Sequence, residues 1–232
     1  MKKIIKLLPW IAFFFLLCIE FGYQQWQIGI LKKKNEDQEV MINAHDKQIF
    51  IQSEFLLLLG EIRTASEKVE KGRKMTGYEA VEVAKEIVIQ CQLNDDIGLT
   101  PAIVLALIER ESGFQVDAIS KMKAYGLTQC IYTTFEYHLP TLGYGLPTRE
   151  LMFDPIVNVQ VGMAELIRLK RLWLAEGVES RDDWKITFYS YYAGERWTRL
   201  LLTTLKKSKF PGLEYGVGTT KLVQQWRERG VM

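Results

Sequence analysis

Glu111 is the side chain best placed to do acid–base chemistry. It follows Ile103-Val104-Leu105-Ala106-Leu107-Ile108, an almost wholly apolar stretch broken only by Glu109 and Arg110. A carboxyl in the last turn of such a helix faces the negative end of the helix dipole and a poorly solvating surround. Both effects favour the neutral acid and raise its pKa. A carboxylic acid that stays protonated near neutral pH can protonate a leaving oxygen. Glu109 is no partner for it, because two positions along a helix are about 200° apart around the axis. The two histidines, His45 and His138, lie far apart, and Cys18, Cys91 and Cys130 show no metal-ligand spacing. No metal or cofactor is therefore expected. Phosphate-loop, dinucleotide and serine-hydrolase strings are absent. With 30 basic and 28 acidic residues the net charge is +2, which gives no electrostatic case for nucleic acid.

The residues after Glu111 narrow the chemistry. Glu111-Ser112-Gly113-Phe114 is followed by Ala118 and Ser120, then by Ala124, Gly126-Leu127-Thr128-Gln129 and Thr134. Farther on stand Asp154-Pro155, Asn158 and Gly162, then Tyr191, Ala193 and Gly194. In order and spacing, over the 84 residues from Glu111 to Gly194, this string resembles the lytic transglycosylase domain of soluble-lytic type. The resemblance implies a goose-type lysozyme-like fold and cleavage of the MurNAc–GlcNAc β-1,4 bond of peptidoglycan, with formation of 1,6-anhydroMurNAc and no cofactor. It implies Glu111 as the single general acid/base, where most glycosidases use two carboxylates. Ser112, Gln129, Tyr191 and Tyr192 are then the expected substrate-binding residues. Gln129 offers a donor and an acceptor to sugar groups. Tyr191 matches the tyrosine whose hydroxyl approaches the catalytic glutamate, and Tyr189 and Tyr192 offer stacking faces. Three positions depart from the family pattern. Lys123 stands for a glycine, Thr128 for a methionine that lines a sugar subsite, and Tyr192 for an asparagine.

These residues need a scaffold, and the sequence predicts a mainly α one. Thr76 and Glu79 form a capping-box pair ahead of an amphipathic run to about Gln92. Thr100-Pro101 and Asp154-Pro155 each place a capping side chain before a first-turn proline. The first of these helices should stop near Gly113 and the second near Leu174. Ser180 and Asp183 open a helix over Trp184 to Tyr192, and Thr220 to Arg229 closes the chain. Residues 138–149 hold two prolines and two glycines and read as a long loop. Cys91 and Cys130 either pair in an oxidising compartment or stay as two buried thiols.

The chain organises into three parts. Residues 1–23 read as an N-terminal membrane anchor, with Lys2, Lys3 and Lys6 ahead of an uncharged run from Leu7 to Ile19. Small residues suited to a cleavage site do not follow that run. Residues 24–76 read as a helical linker, in which Ile42, Ile49 and Leu56 repeat every seven residues without a sustained heptad pattern. This linker is the expected surface for self-association or for an envelope-spanning partner. The apolar Phe55 to Leu59 segment should pack on the domain or on a second copy. Residues 77–232 form the catalytic domain, placed in the periplasm or cell wall space of a single-pass inner-membrane protein. Two rival readings keep the fold. One is a phage-type hydrolytic muramidase, and the other is an inactive peptidoglycan-binding component of an envelope assembly.

Overall fold

The computed structural model describes residues 32–34, 52–204 and 213–232. The expected anchor at 1–23 and most of the expected linker lie outside these residues. Among the described residues no helix is long and apolar enough to cross a membrane. The chain divides into two units, Met1–Gln52 and Ser53–Met232. In the first, residues 32–34 are helical and exposed. The second is mainly helical. It contains α1 (52–67), α2 (Gly77–Leu93), α3 (Pro101–Ser112), α4 (Tyr132–His138), α5 (Arg149–Phe153), α6 (Pro155–Ala175), α7 (Lys185–Ala193), α8 (Glu195–Thr204) and α9 (Leu213–Glu228). A two-stranded antiparallel sheet, β1 (Ala124–Tyr125) and β2 (Cys130–Ile131), lies between α3 and α4.

α3 is the centre of the unit. Seven successive residues, Ala102 to Ile108, are all fully buried. A helix that is apolar on every side has no solvent face to offer, so it must be wrapped by other helices. The wrapping residues are Ala80, Val83 and Ile87 of α2, Val159, Met163 and Leu166 of α6, Phe188 of α7, and Val223 and Trp226 of α9. Leu58 and Ile62 of α1 belong to the same core, so the second unit takes in the end of the segment expected as linker. Leu59 is partly buried against this core, and Leu56 remains 65% exposed. A smaller core of Phe135, Leu139, Met152, Val157 and Val161 sits under the loop after α3. Tyr191 packs against both cores.

Most predicted helix ends hold. The Thr76–Glu79 capping box forms in both directions. Asp154 accepts from the Ile156 and Val157 amides, and Gly113 ends α3 in the left-handed conformation. Thr100 differs: its backbone is extended as a cap requires, but its hydroxyl is buried and makes no capping bond. The first turn of α3 is thus started by Pro101 alone. α9 begins seven residues before the predicted start at Thr220, because Gly216 and Gly218 lie inside it rather than ending it. At Gly216 an added Cβ would come within 2.3 Å of the Lys185 carbonyl oxygen, so the glycine lets α9 approach α7 closely. Cys91 and Cys130 are both free and buried.

Lys170 of α6 is fully buried beside Glu179, 3.5 Å away. Its ammonium also donates to the carbonyls of Ser180, at 2.8 Å, and Asp183. Glu179 in turn accepts from the Thr187 amide at 3.1 Å, and from the Thr187 hydroxyl and the Ile186 amide. The pair holds the first turn of α7, the helix that carries Tyr191.

Candidate active site

A cleft of about 430 Å³ opens where the end of α3, the β1–β2 loop, α6 and the end of α7 meet. Glu111, Gln129, Tyr191 and Tyr192 all line it, together with Ser120, Thr134, Cys130 and Glu165. Among the described residues its carboxyls are Glu111 and Glu165, and no basic residue lines it.

Burial pushes the Glu111 carboxyl up to about 7, and the Tyr215 hydroxyl and the Arg110 charge pull against that rise. Tyr215 donates its phenolic hydrogen to Glu111 Oε1. Arg110 lies over the Tyr215 ring, 5.1 Å from its centroid, and Tyr192 stacks on that ring at 4.7 Å and 15°. Tyr215 comes from α9, 104 positions away, and no sequence signal marked it. The phenol stabilises the carboxylate, so removing it favours the acid. Tyr215→Phe is therefore expected to move the Glu111 pKa above 7, which carbon NMR of the side-chain carboxyl would read. An unchanged or lower value would contradict this contact.

Tyr191 occupies the cleft wall, but its hydroxyl is engaged elsewhere. It donates to the Thr128 carbonyl at 2.9 Å and lies 3.1 Å from Cys130 Sγ. The phenol bonded to Glu111 is thus Tyr215 and not Tyr191. Of the two tyrosines offered for stacking, Tyr192 is 64% exposed and Tyr189 is buried. Ser112 is not brought into the cleft. One residue along α3 from Glu111 it points about 100° away, and its hydroxyl bonds the Ile108 carbonyl at 3.2 Å.

The loop from Gly113 to Ile131 is held by a dense set of bonds. Gln129 takes a positive φ of 50° and its Nε2 donates to the carbonyls of Ala118 and Gly126, at 3.1 and 2.9 Å. Both amide hydrogens are used inside the loop, which leaves the amide oxygen as the acceptor this side chain can still offer to the cleft. Asn158 of α6 is fully buried. It donates to the carbonyls of Tyr125 and Met152, each at 2.8 Å, and its Oδ1 accepts from the Thr128 amide. Gly126 is required beside it, since a Cβ there would lie 2.2 Å from Asn158 Nδ2. Thr128 does not line the cleft. It is buried, its hydroxyl sits 2.7 Å from Asn158 Oδ1, and it packs where any side chain on Gly162 would collide with it. Asp154 is spent on the α6 cap.

Lys123 keeps the left-handed conformation, at φ 58°. The backbone path survives the loss of glycine, and the side chain carries the strain of about 1–2 kcal/mol. Lys123→Gly relieves that strain and loses part of the gain to a more flexible unfolded chain. A net stabilisation of about 0.5–1 kcal/mol, or about 2–4 °C in melting temperature, is expected by calorimetry. A lower melting temperature would show that the lysine side chain makes a compensating contact.

The chain is 30% identical over 99 residues to a membrane-bound lytic murein transglycosylase C of Pectobacterium atrosepticum, covering 42% of this chain and 28% of that protein. It is 29% identical over 105 residues to the protein of the same name from Shigella sonnei, covering 44% and 29%. The match thus spans under a third of the length of these relatives. The solved lytic transglycosylase Slt of Pseudomonas aeruginosa aligns at 21% identity and a TM-score of 0.44, over 63% of this chain and 23% of that one. The transglycosylase SLT domain matches residues 92–209, a stretch that holds Glu111, the loop built on Asn158 and the cleft-lining end of α7, and covers just over half of the chain, so the chain belongs to the transglycosylase SLT family.

Proposed function

We propose that the protein is a peptidoglycan lytic transglycosylase on a goose-type lysozyme-like fold, with Glu111 as its general acid/base. The observation that carries this reading is a cleft-lining carboxyl that burial holds protonated to about pH 7, within a phenolic hydrogen bond. Tyr215 occupies Oε1, so Oε2 is the oxygen that carries the exchangeable proton. Glu111 gives that proton to the glycosidic oxygen as the bond to the muramyl anomeric carbon breaks. The resulting carboxylate then takes the proton of the muramyl 6-hydroxyl, whose oxygen bonds the anomeric carbon. The product is the 1,6-anhydro sugar, no water is consumed, and Glu111 returns to its acid form. Gln129 contributes its amide oxygen to substrate binding, and Tyr192 offers its exposed ring to a sugar face.

The relatives are named as membrane-bound, and residues 1–23 have the composition of an anchor. That supports a domain tethered to the inner membrane and facing the periplasm or cell wall space, with residues 24–76 as the segment for self-association or an envelope partner. The deciding experiment treats purified peptidoglycan with the full chain and with Glu111→Gln, and weighs the products by mass spectrometry. Anhydro-muropeptides from the wild type alone establish the reaction and its acid/base. Products heavier by one water point to a muramidase. No release, with binding to the wall retained, points to a binding protein.

A further inference from the structure

Glu165 stands on α6, and its side chain, 20% exposed, reaches the same cleft as Glu111. Three N–H groups grip it. Arg168 donates through Nε to Oε2 and through Nη2 to Oε1, each at 2.9 Å, and His138 Nε2 lies 2.8 Å from Oε2. Arg168 is itself fixed by Glu195 of α8 at 3.0 Å. Oε1 carries a single bond among the described residues, which leaves a lone pair of this oxygen uncommitted.

Burial alone would neutralise such a carboxyl. The Arg168 fork and His138 outweigh it and hold Glu165 below the usual carboxylate range. Among the described residues only Tyr215 donates to Glu111, and its burial prevails. Two carboxyls of one cleft are thus driven to opposite protonation states, which is how environments assign an acid and an anion. Helical spacing could not reveal this pair, because the two residues stand on different helices.

Breaking a glycosidic bond leaves an oxocarbenium-like centre, positive at the anomeric carbon. A negative charge oriented beforehand, in a partly dry cleft with no basic residue among its described lining, lowers the energy of that centre and costs no reorganisation. We infer that Glu165 is a second working carboxylate of the reaction, whose fixed negative charge stabilises the positive charge developing on the muramyl anomeric carbon. It forms no bond and moves no proton; Glu111 still performs both transfers. The inference rests on the cleavage proposed above.

The plain alternative is a brace, since the Glu165 cluster ties α4, α6 and α8 together. Two variants of the full chain separate the roles. Glu165→Gln removes the charge, and the double variant Glu165→Gln with Arg168→Gln removes it while leaving a neutral amide pair in place of the fork. Rates are read on soluble glycan strands as anhydro-product release, corrected for folded fraction by circular dichroism. Both variants are expected to lose kcat on the order of 100-fold, with KM within about twofold. Wild-type kcat in the double variant, or a rise in KM alone, would overturn the inference and leave the cleavage intact. Losses that vanish after correction for folded fraction would overturn it as well. A wild type that releases no product would remove the proposed cleavage and this inference together.

Discussion

Glu111→Gln is expected to reduce anhydro-product release on the order of 1000-fold or more, because in the proposed reaction both proton transfers pass through this carboxyl. The same change is expected to stabilise the fold above neutral pH. The unfolded carboxyl ionises near 4.5, while burial keeps the folded one protonated to about 7. Between these values the native state binds more protons than the unfolded chain. Wild-type stability therefore falls as pH rises from about 4.5 to about 7, and stays low above that. The gap corresponds to about 3 kcal/mol. Glutamine carries no charge, keeps an acceptor for the Tyr215 hydroxyl, and escapes this cost. The variant should melt with the wild type at pH 4 and about 6–10 °C higher at pH 8. Calorimetry at the two pH values reads the difference. Equal melting at pH 8 would mean that the Glu111 carboxyl is solvated, and its role as a neutral acid would fall with that. An active-site group that weakens the fold is an ordinary stability–function trade-off.

Lys170→Met is expected to cost about 3–5 kcal/mol, the largest loss of stability of any change considered. The methionine fills similar space but leaves the Glu179 carboxylate buried without its cation, and leaves the Ser180 and Asp183 carbonyls without a donor. On heating, the drop should exceed about 8 °C. Adding Glu179→Gln removes the uncompensated charge, so the double variant should recover a large part of the loss, and the double-mutant cycle measures the coupling. The first turn of α7 depends on Glu179, so partial loosening should reach Tyr191 and the cleft wall. If Lys170→Met melted with the wild type, the burial of this pair would be refuted.

Much of the scaffold was legible in the chain itself. The run from Ile103 to Ile108 marked an apolar helix, and Pro101 and Gly113 marked its ends. Asp154-Pro155 marked the start of α6, and the Glu111 string with its downstream companions marked the family. The helix signals are local, resting on caps and apolar runs within about twenty residues, and the family string is a chain of such short pieces in fixed order. The same locality explains the raised Glu111 pKa, since an acid that closes a buried helix can be recognised from the residues before it.

Other features depended on which segments meet. Glycines at 216 and 218 and the short length of the remaining apolar pattern concealed the first half of α9, and with it Tyr215. Its bond to Glu111 joins residues 104 positions apart. The Tyr191 hydroxyl follows a resemblance as far as the cleft, but the neighbouring Thr128 carbonyl and Cys130 thiol decide where it points. Ser112 is adjacent to Glu111 in sequence and leaves the cleft because a helix turns about 100° per residue. Glu165 reads alone as one more charge on an amphipathic helix. It becomes the second carboxyl of the cleft only where α4 brings His138 beside it and the end of α3 brings Glu111 to the same opening. The sequence by itself determined the apolar helix, its acidic end and the family; the tertiary structure alone decided which phenol bonds that acid and which second carboxyl shares its cleft, because hydrogen bonds and desolvation act over a few ångströms between elements that local pattern cannot place together.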